Sequence, residues 1–116
     1  MVYVSLDPRE VTDFNSIRRI TDEVFVRIYP EKVKELLKDG YKSCCKSEYG
    51  KVLAIVKRRF EIDISIPQTA SKHVLRTGDQ VVIIVLEKIR KLGYEEMYTD
   101  EELRKSRVIF RLYTIK

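Results

Sequence analysis

The chain has 116 residues, 44% hydrophobic and 35% charged, a balance that fits one compact domain over 1–116 and excludes a disordered tail. Its 23 basic and 18 acidic residues give a formal charge of +5, which favours polyanionic partners without choosing among DNA, RNA and a small nucleotide. The longest apolar run, VVIIVL at 81–86, has strand length and falls short of the roughly 20 residues a membrane-spanning helix needs, so no membrane partner is expected.

In chain order, VYVSL (2–6) alternates like a strand and stops at Asp7-Pro8. Residues 7–22 are polar and irregular and predict a long loop. EVFVRIY (23–29) puts Val24, Val26 and Ile28 on one face, as a strand with one buried side would. PEKVKELLKDG (30–40) predicts a short helix: proline opens it, Glu31 suits its positive end, and Gly40 stops it. Val33, Leu36 and Leu37 form its apolar stripe. YKSCC (41–45) reads as a short strand leading into a second helix, with Ser47 as N-cap and Val52, Leu53, Val56 and Phe60 at helical spacing. Lys57, Arg58 and Arg59 end that helix, where cations complement the dipole.

EIDISIP (61–67) returns to alternation, KHVLR (72–76) predicts a further short strand, and TGD (77–79) a turn. QVVIIVLEKI (80–89) is apolar without alternation, which implies a central strand buried on both faces. Thr99 and Glu102 make a capping box for a short helix. RVIFRLYTI (107–115) closes the chain as a strand with Val108, Phe110 and Leu112 on one face and Arg111 and Tyr113 on the other. The sum is an α/β single domain, with α+β the alternative class: a mixed central sheet of about five strands covered by short helices.

Composition carries two further expectations. One asparagine and two glutamines among many Lys, Arg and Glu point to a hyperthermophilic source. The N-terminal MVYVSLDPRE lacks the basic start and long apolar stretch of a signal peptide, so an intracellular, cytoplasmic location is expected. Cys44 and Cys45 are neighbours, so a disulfide between them would be strained and both read as reduced. With one distant histidine, His73, they cannot supply the four ligands of a metal site, and no metal or cofactor is expected.

The chemistry-bearing residues do not spell an enzyme. His73 has no evident orienting partner, no two carboxylates share an apolar face, and no phosphate-binding glycine loop is present. Anion binding has a better case in SCCKSEYGKVL (43–53). A strand feeding a helix near Ser47 points free N–H groups at whatever lies above the turn. Lys46 and Lys51 flank that turn, and Gly50 would let a ligand approach the backbone closely. A second basic cluster, Lys88, Arg90 and Lys91, follows the central strand. If both clusters lie at one sheet end, they form a single phosphate-reading surface. A capped helix with solvated lysines is the bland alternative.

From about Val24 to Lys116, with VYVSL as the leading strand, the chain resembles a family of small proteins of crenarchaeal viruses, with bacterial relatives, that includes viral ring nucleases. These are anti-CRISPR enzymes that cleave cyclic tetra-adenylate. The resemblance rests on PEKVKELL, Pro67, Gly78-Asp79, the VVIIVL run, Glu101-Glu102-Leu103 and IFRLY, which take the family's places in order. It implies a homodimer in which two helix N-termini face a shared cleft for the cyclic nucleotide, in the host cytoplasm. The family's strand–turn–helix motif is close to S-A-I-G-H-x-x-T. Aligned from Tyr41, Ser47 stands where the catalytic histidine belongs; aligned on Gly50, Lys51 does. Neither is a histidine. In place of the family's R-L-P-E-G the chain has IRKLG, so Arg90 or Lys88 replaces the arginine and no glutamate matches.

Ser47, Lys51 and Arg90 are therefore the candidates for any metal-independent phosphodiester cleavage, and losing the general acid slows such a step by roughly 10²–10⁴-fold. The expectation is a cyclic-oligoadenylate binder whose cleavage is weak or absent. Lys46, Ser47, Lys51 and Arg90 would hold phosphates, and Tyr49 would stack on a base. The alternatives are a non-specific double-stranded nucleic-acid binder, resting on KRR (57–59) and RKSR (104–107), and a protein-interaction module without a nucleotide site.

Overall fold

The computed structural model describes residues 1–69, 71–87 and 99–116. The five strands are β1 (Val2–Ser5), β2 (Val26–Ile28), β3 (Lys42–Ser43), β4 (Gln80–Glu87) and β5 (Arg107–Thr114). They form one mixed sheet in the order β2-β5-β4-β1-β3. β1 runs parallel to both β3 and β4, whereas β5 is antiparallel to β4 and β2. The described helices are α1 (Arg18–Thr21), α2 (Pro30–Leu37), α3 (Gly50–Phe60) and α4 (Asp100–Lys105). An α/β domain with a five-stranded mixed sheet is what the sequence pattern predicts.

The unbroken apolar run places β4 at the middle of the sheet, with a core on each side. Val82 and Ile84 pack with Val4, Val33, Val56, Leu103 and Phe110 under α2, α3 and α4. Val81 and Ile83 pack on the opposite face with Tyr3, Val11, Ile20, Leu75 and Tyr113. The closing strand obeys its alternation: Val108, Phe110 and Leu112 serve the helical face, Tyr113 and Ile115 the other.

Four expectations need correction. Residues 7–22 are more than a loop. Asp7 caps a 3-10 turn at Pro8–Glu10, α1 follows, and Val11 and Ile20 are fully buried as the cover of the second face. The predicted strand 23–29 narrows to β2, and only Ile28 of its apolar set is buried. Val24 and Val26 are 88% and 61% exposed, because this is the sheet edge and no described residue packs over them.

The predicted strands 61–67 and 72–76 form no ladder. Alternation still buries Ile62 and Ile64, but the neighbouring β3 is only two residues long and offers no edge to pair with. The Tyr41 hydroxyl takes that role, donating to Asp63 O and accepting from Ser65 N, both at 3.1 Å. In 72–76, His73 N donates to Val11 O at 2.8 Å and Leu75 is buried, while Val74 faces solvent.

The turn at 77–79 and the capping box are as expected. Gly78 takes φ +92°, where only glycine is unstrained, and the Asp79 carboxylate accepts from Arg76 N at 2.8 Å. Glu102 N donates to Thr99 Oγ1 at 3.1 Å, and Thr99 N to Glu102 Oε1 at 3.2 Å. No helix among the described residues is long and apolar enough to cross a membrane.

Candidate functional site

Parallel pairing brings the C-terminal ends of β1, β3 and β4 to one end of the sheet, where ligands sit in open α/β sheets. Two segments leave from there side by side: Asp7 to Glu10 after β1, and Cys44 to Lys51 after β3. Lys46 Nζ lies 2.9 Å from Glu10 Oε1, and Arg9 pairs with Asp7 at 2.6 Å. Burial would raise the Asp7 carboxyl, but hydrogen bonds from Arg9 and the charges of Arg9 and Lys46 hold it below its ordinary value. Acidic groups thus stand among the cations at this strand end.

Ser47 does not cap α3. It opens a 3-10 turn, Ser47–Tyr49, whose N-cap is Lys46, and α3 begins at Gly50 with no side-chain cap. Gly50 has ordinary helical angles, and open space surrounds the position of a Cβ there, so the backbone does not require glycine. Tyr49, expected to stack on a base, is buried in the core with Cys45, Val52 and Leu53. Burial, then Glu10 and Asp7, push its hydroxyl upward. Its ring is committed to packing, because the 3-10 turn rotates it beneath the chain.

Both thiols are buried, and burial pushes Cys44 and Cys45 up to about 11. From an ordinary value of 9.0 this cuts the thiolate population at neutral pH about 100-fold. Iodoacetamide should therefore label the native protein at least ~100-fold more slowly than the unfolded chain, read by mass spectrometry. Rapid labelling of the native state would contradict the buried placement.

Lys46 and Lys51, expected to flank one site, reach different places. Lys46 lines a cleft of about 80 Å³ with Glu10, Cys44, Cys45 and Lys72, room for a few waters at roughly 30 Å³ each and too small for a nucleotide. Lys51 opens onto a groove of about 450 Å³ between α3 and α4, lined also by Ala54, Ile55, Arg58, Asp100, Leu103 and Arg104. That volume lies within the range of small-molecule sites. The floor is apolar, Lys51 stands 3.9 Å from Asp100, and two further arginines make the rim net positive. Such a groove can hold an oxyanion attached to a planar or apolar body.

Arg58 and Arg104 figured in the sequence only as parts of basic runs, and their convergence depends on how α4 crosses α3. Their neighbours are engaged elsewhere. Arg59 donates to Ser106 O at 2.7 Å, Leu103 O at 3.1 Å and Arg104 O at 2.6 Å, tying down the end of α4. Lys57 pairs with Asp63, Lys105 with Glu101 and Arg107 with Glu87. His73 sits on the sheet face away from α3, its ring 4.9 Å from Tyr3, with burial and then Lys42 lowering its pKa. Lys88, Arg90 and Lys91 lie outside the described residues. Among the described residues no group of three or more His, Cys, Asp or Glu is placed to hold a metal ion.

Neither a family model nor a curated protein matches this chain. Its structure is similar to that of B116 of Sulfolobus turreted icosahedral virus (STIV), with a TM-score of 0.52 and 14% identity over 97% of each chain. The chain shares a fold with a protein of a crenarchaeal virus. At that identity the likeness is one of fold alone.

Proposed function

We propose that the chain is a viral ring-nuclease-like, anti-CRISPR protein that binds cyclic oligoadenylate between two copies and cleaves it weakly or not at all. The observation that carries this reading is the groove beside the start of α3, net positive at its rim and apolar at its floor. A fold shared end to end with a crenarchaeal virus protein supports the viral part of it. Each protomer would take part of the ring, with Lys51 and Arg58 on phosphates and the apolar floor under a base. Weak turnover fits the residues at hand: the thiols are buried and pushed up to about 11, and His73 faces away. A basic residue can still stabilise charge at a phosphate attacked by its own 2′-hydroxyl.

The test is a thermal-stability titration with cyclic tetra-adenylate, followed by chromatography of the same samples. A saturating rise in Tm is expected, since a ligand of the folded state stabilises by mass action, with the ligand recovered mostly intact. Losing one charged hydrogen bond to phosphate costs about 1.5–3 kcal/mol, so Lys51→Ala should weaken binding roughly tenfold or more. No shift at any concentration would sink the reading.

Double-stranded nucleic-acid binding is the second reading, favoured by Arg58 and Arg104, which make no ion pair among the described residues. With most of both basic runs engaged in pairs, few phosphates would be neutralised. A slope of log K against log salt no steeper than about −2 is then expected, at roughly −0.9 per contact.

A further inference from the structure

On the sheet face away from α2, α3 and α4, Arg27 of β2 stands directly opposite Arg111 of β5. Two like charges in register across an antiparallel pair oppose folding. Neither has a carboxylate partner among the described residues. Each guanidinium lies instead against a ring: Arg27 is 5.1 Å from the centre of Tyr29, and Arg111 is 4.3 Å from that of Phe25. The Nε of Arg111 is buried without a hydrogen-bond acceptor among the described residues. Buried donors are nearly always satisfied, so this orphan marks a charge that the neighbouring described strands leave without compensation.

We propose that this Arg27–Arg111 pair at the β2 edge binds a backbone phosphate of single-stranded nucleic acid, with Phe25 and Tyr29 offering ring faces to unpaired bases. A phosphodiester offsets one of the two positive charges and so relieves their repulsion, and guanidinium forks match its geometry. Phe25 and Tyr29 are 42% and 59% exposed despite their arginine contacts. Alternation along the extended stretch sets residues 25, 27 and 29 on one face, so rings flank the charges on both sides. Rings beside a bare ion would add nothing, whereas unpaired bases stack on aromatic and guanidinium planes. A duplex hides those base faces. The patch belongs to a different part of the sheet from the α3–α4 groove, so this site is independent of the reading above.

The test is fluorescence anisotropy with a labelled single strand of about 12 nucleotides, within common site sizes. The Arg27→Ala/Arg111→Met variant keeps the apolar stem of Arg111, and its affinity should fall at least tenfold. Its salt slope should be shallower by about 0.7, the value for one lost phosphate on a single strand. Tyr29→Ala should weaken binding with the slope unchanged. A charge-matched Lys34→Ala/Lys38→Ala variant, at α2 and its C-cap, should lose less than about twofold at physiological salt. If the double variant fails to fold, Arg27→Ala and Tyr29→Ala carry the same comparison, both being exposed positions. Stabilisation by cyclic tetra-adenylate, if the parent shows it, should persist in all of these variants. The proposal is overturned if the parent binds no single strand, if the duplex binds as tightly, or if the α2 variant loses as much. It is equally overturned if Arg27→Ala changes only the oligomeric state by light scattering, which would make the patch a protein contact.

Discussion

Replacing Phe110 by alanine should destabilise the protein by about 3–5 kcal/mol, the range for removing a fully buried aromatic ring. Phe110 is 1% exposed and stands in register between Ile84 of β4 and Ile28 of β2, at the middle of the helical-side core. Its ring meets that of Phe60 edge-on at 5.5 Å, so the end of α3 loses its partner as well. Domains of this size hold some 5–15 kcal/mol in total, so one substitution removes roughly a fifth or more. Urea denaturation should show a lower midpoint at unchanged m-value. Phe110→Leu, which keeps most of the volume, should cost under about 1.5 kcal/mol if neighbours repack. A loss below about 1 kcal/mol for alanine would mean that β5 does not lie where the register places it.

Leu103→Ala should be nearly as damaging, at about 2–5 kcal/mol, and its effect should be confined first to α4. That helix has six residues, too few to persist alone. Three devices hold it: the capping box of Thr99 and Glu102, the Arg59 guanidinium on its last carbonyls, and Leu103, its one buried side chain at 2% exposure. A cap contributes about 1 kcal/mol. Arg59 is largely solvated and screened, and water can replace it at the carbonyls, so it contributes about 1 kcal/mol at most. Leu103 therefore outweighs the other two. Amide hydrogen exchange should show α4 opening in Leu103→Ala, with smaller and similar effects in Thr99→Ala and Arg59→Ala. The α3–α4 groove loses its floor in the first variant, so stabilisation by cyclic tetra-adenylate should be weakened there as well. Equal exchange in all three variants would assign α4 to capping rather than to burial.

Much of this fold was legible before any coordinates. Elements with strong periodicity and their own stop signals appear where the pattern places them: α2 between Pro30 and Gly40, the apolar face of α3, β4 as the doubly buried strand, and α4 behind its capping box. Local physics suffices for these, since period, caps and turn residues act over a few positions. The segments that misled were short alternating runs. EIDISIP and EVFVRIY carry the same period, yet a strand needs a partner edge, and that is a property of the whole sheet. β3 is too short to pair with the first, and β2 finds β5 over only three residues.

The candidate site was legible in part. That the segment after β3 leaves the end of the sheet where open α/β sheets place ligands follows from strand direction, and the basic residues there could be named. Which of them converge could not. Lys46 turns to Glu10, Tyr49 turns inward, and the groove at Lys51 is completed by Arg58 and Arg104, half the chain apart. The sequence by itself determined the fold class, the two-faced central strand and helices α2, α3 and α4, whereas α1 emerged only in the structure. The tertiary structure alone decided which charges are paired, which rings are buried, and that Arg27 and Arg111 share one rung of a ladder. Periodicity reports which face a side chain takes, whereas a site depends on which distant faces are brought together, and that is set by packing between elements.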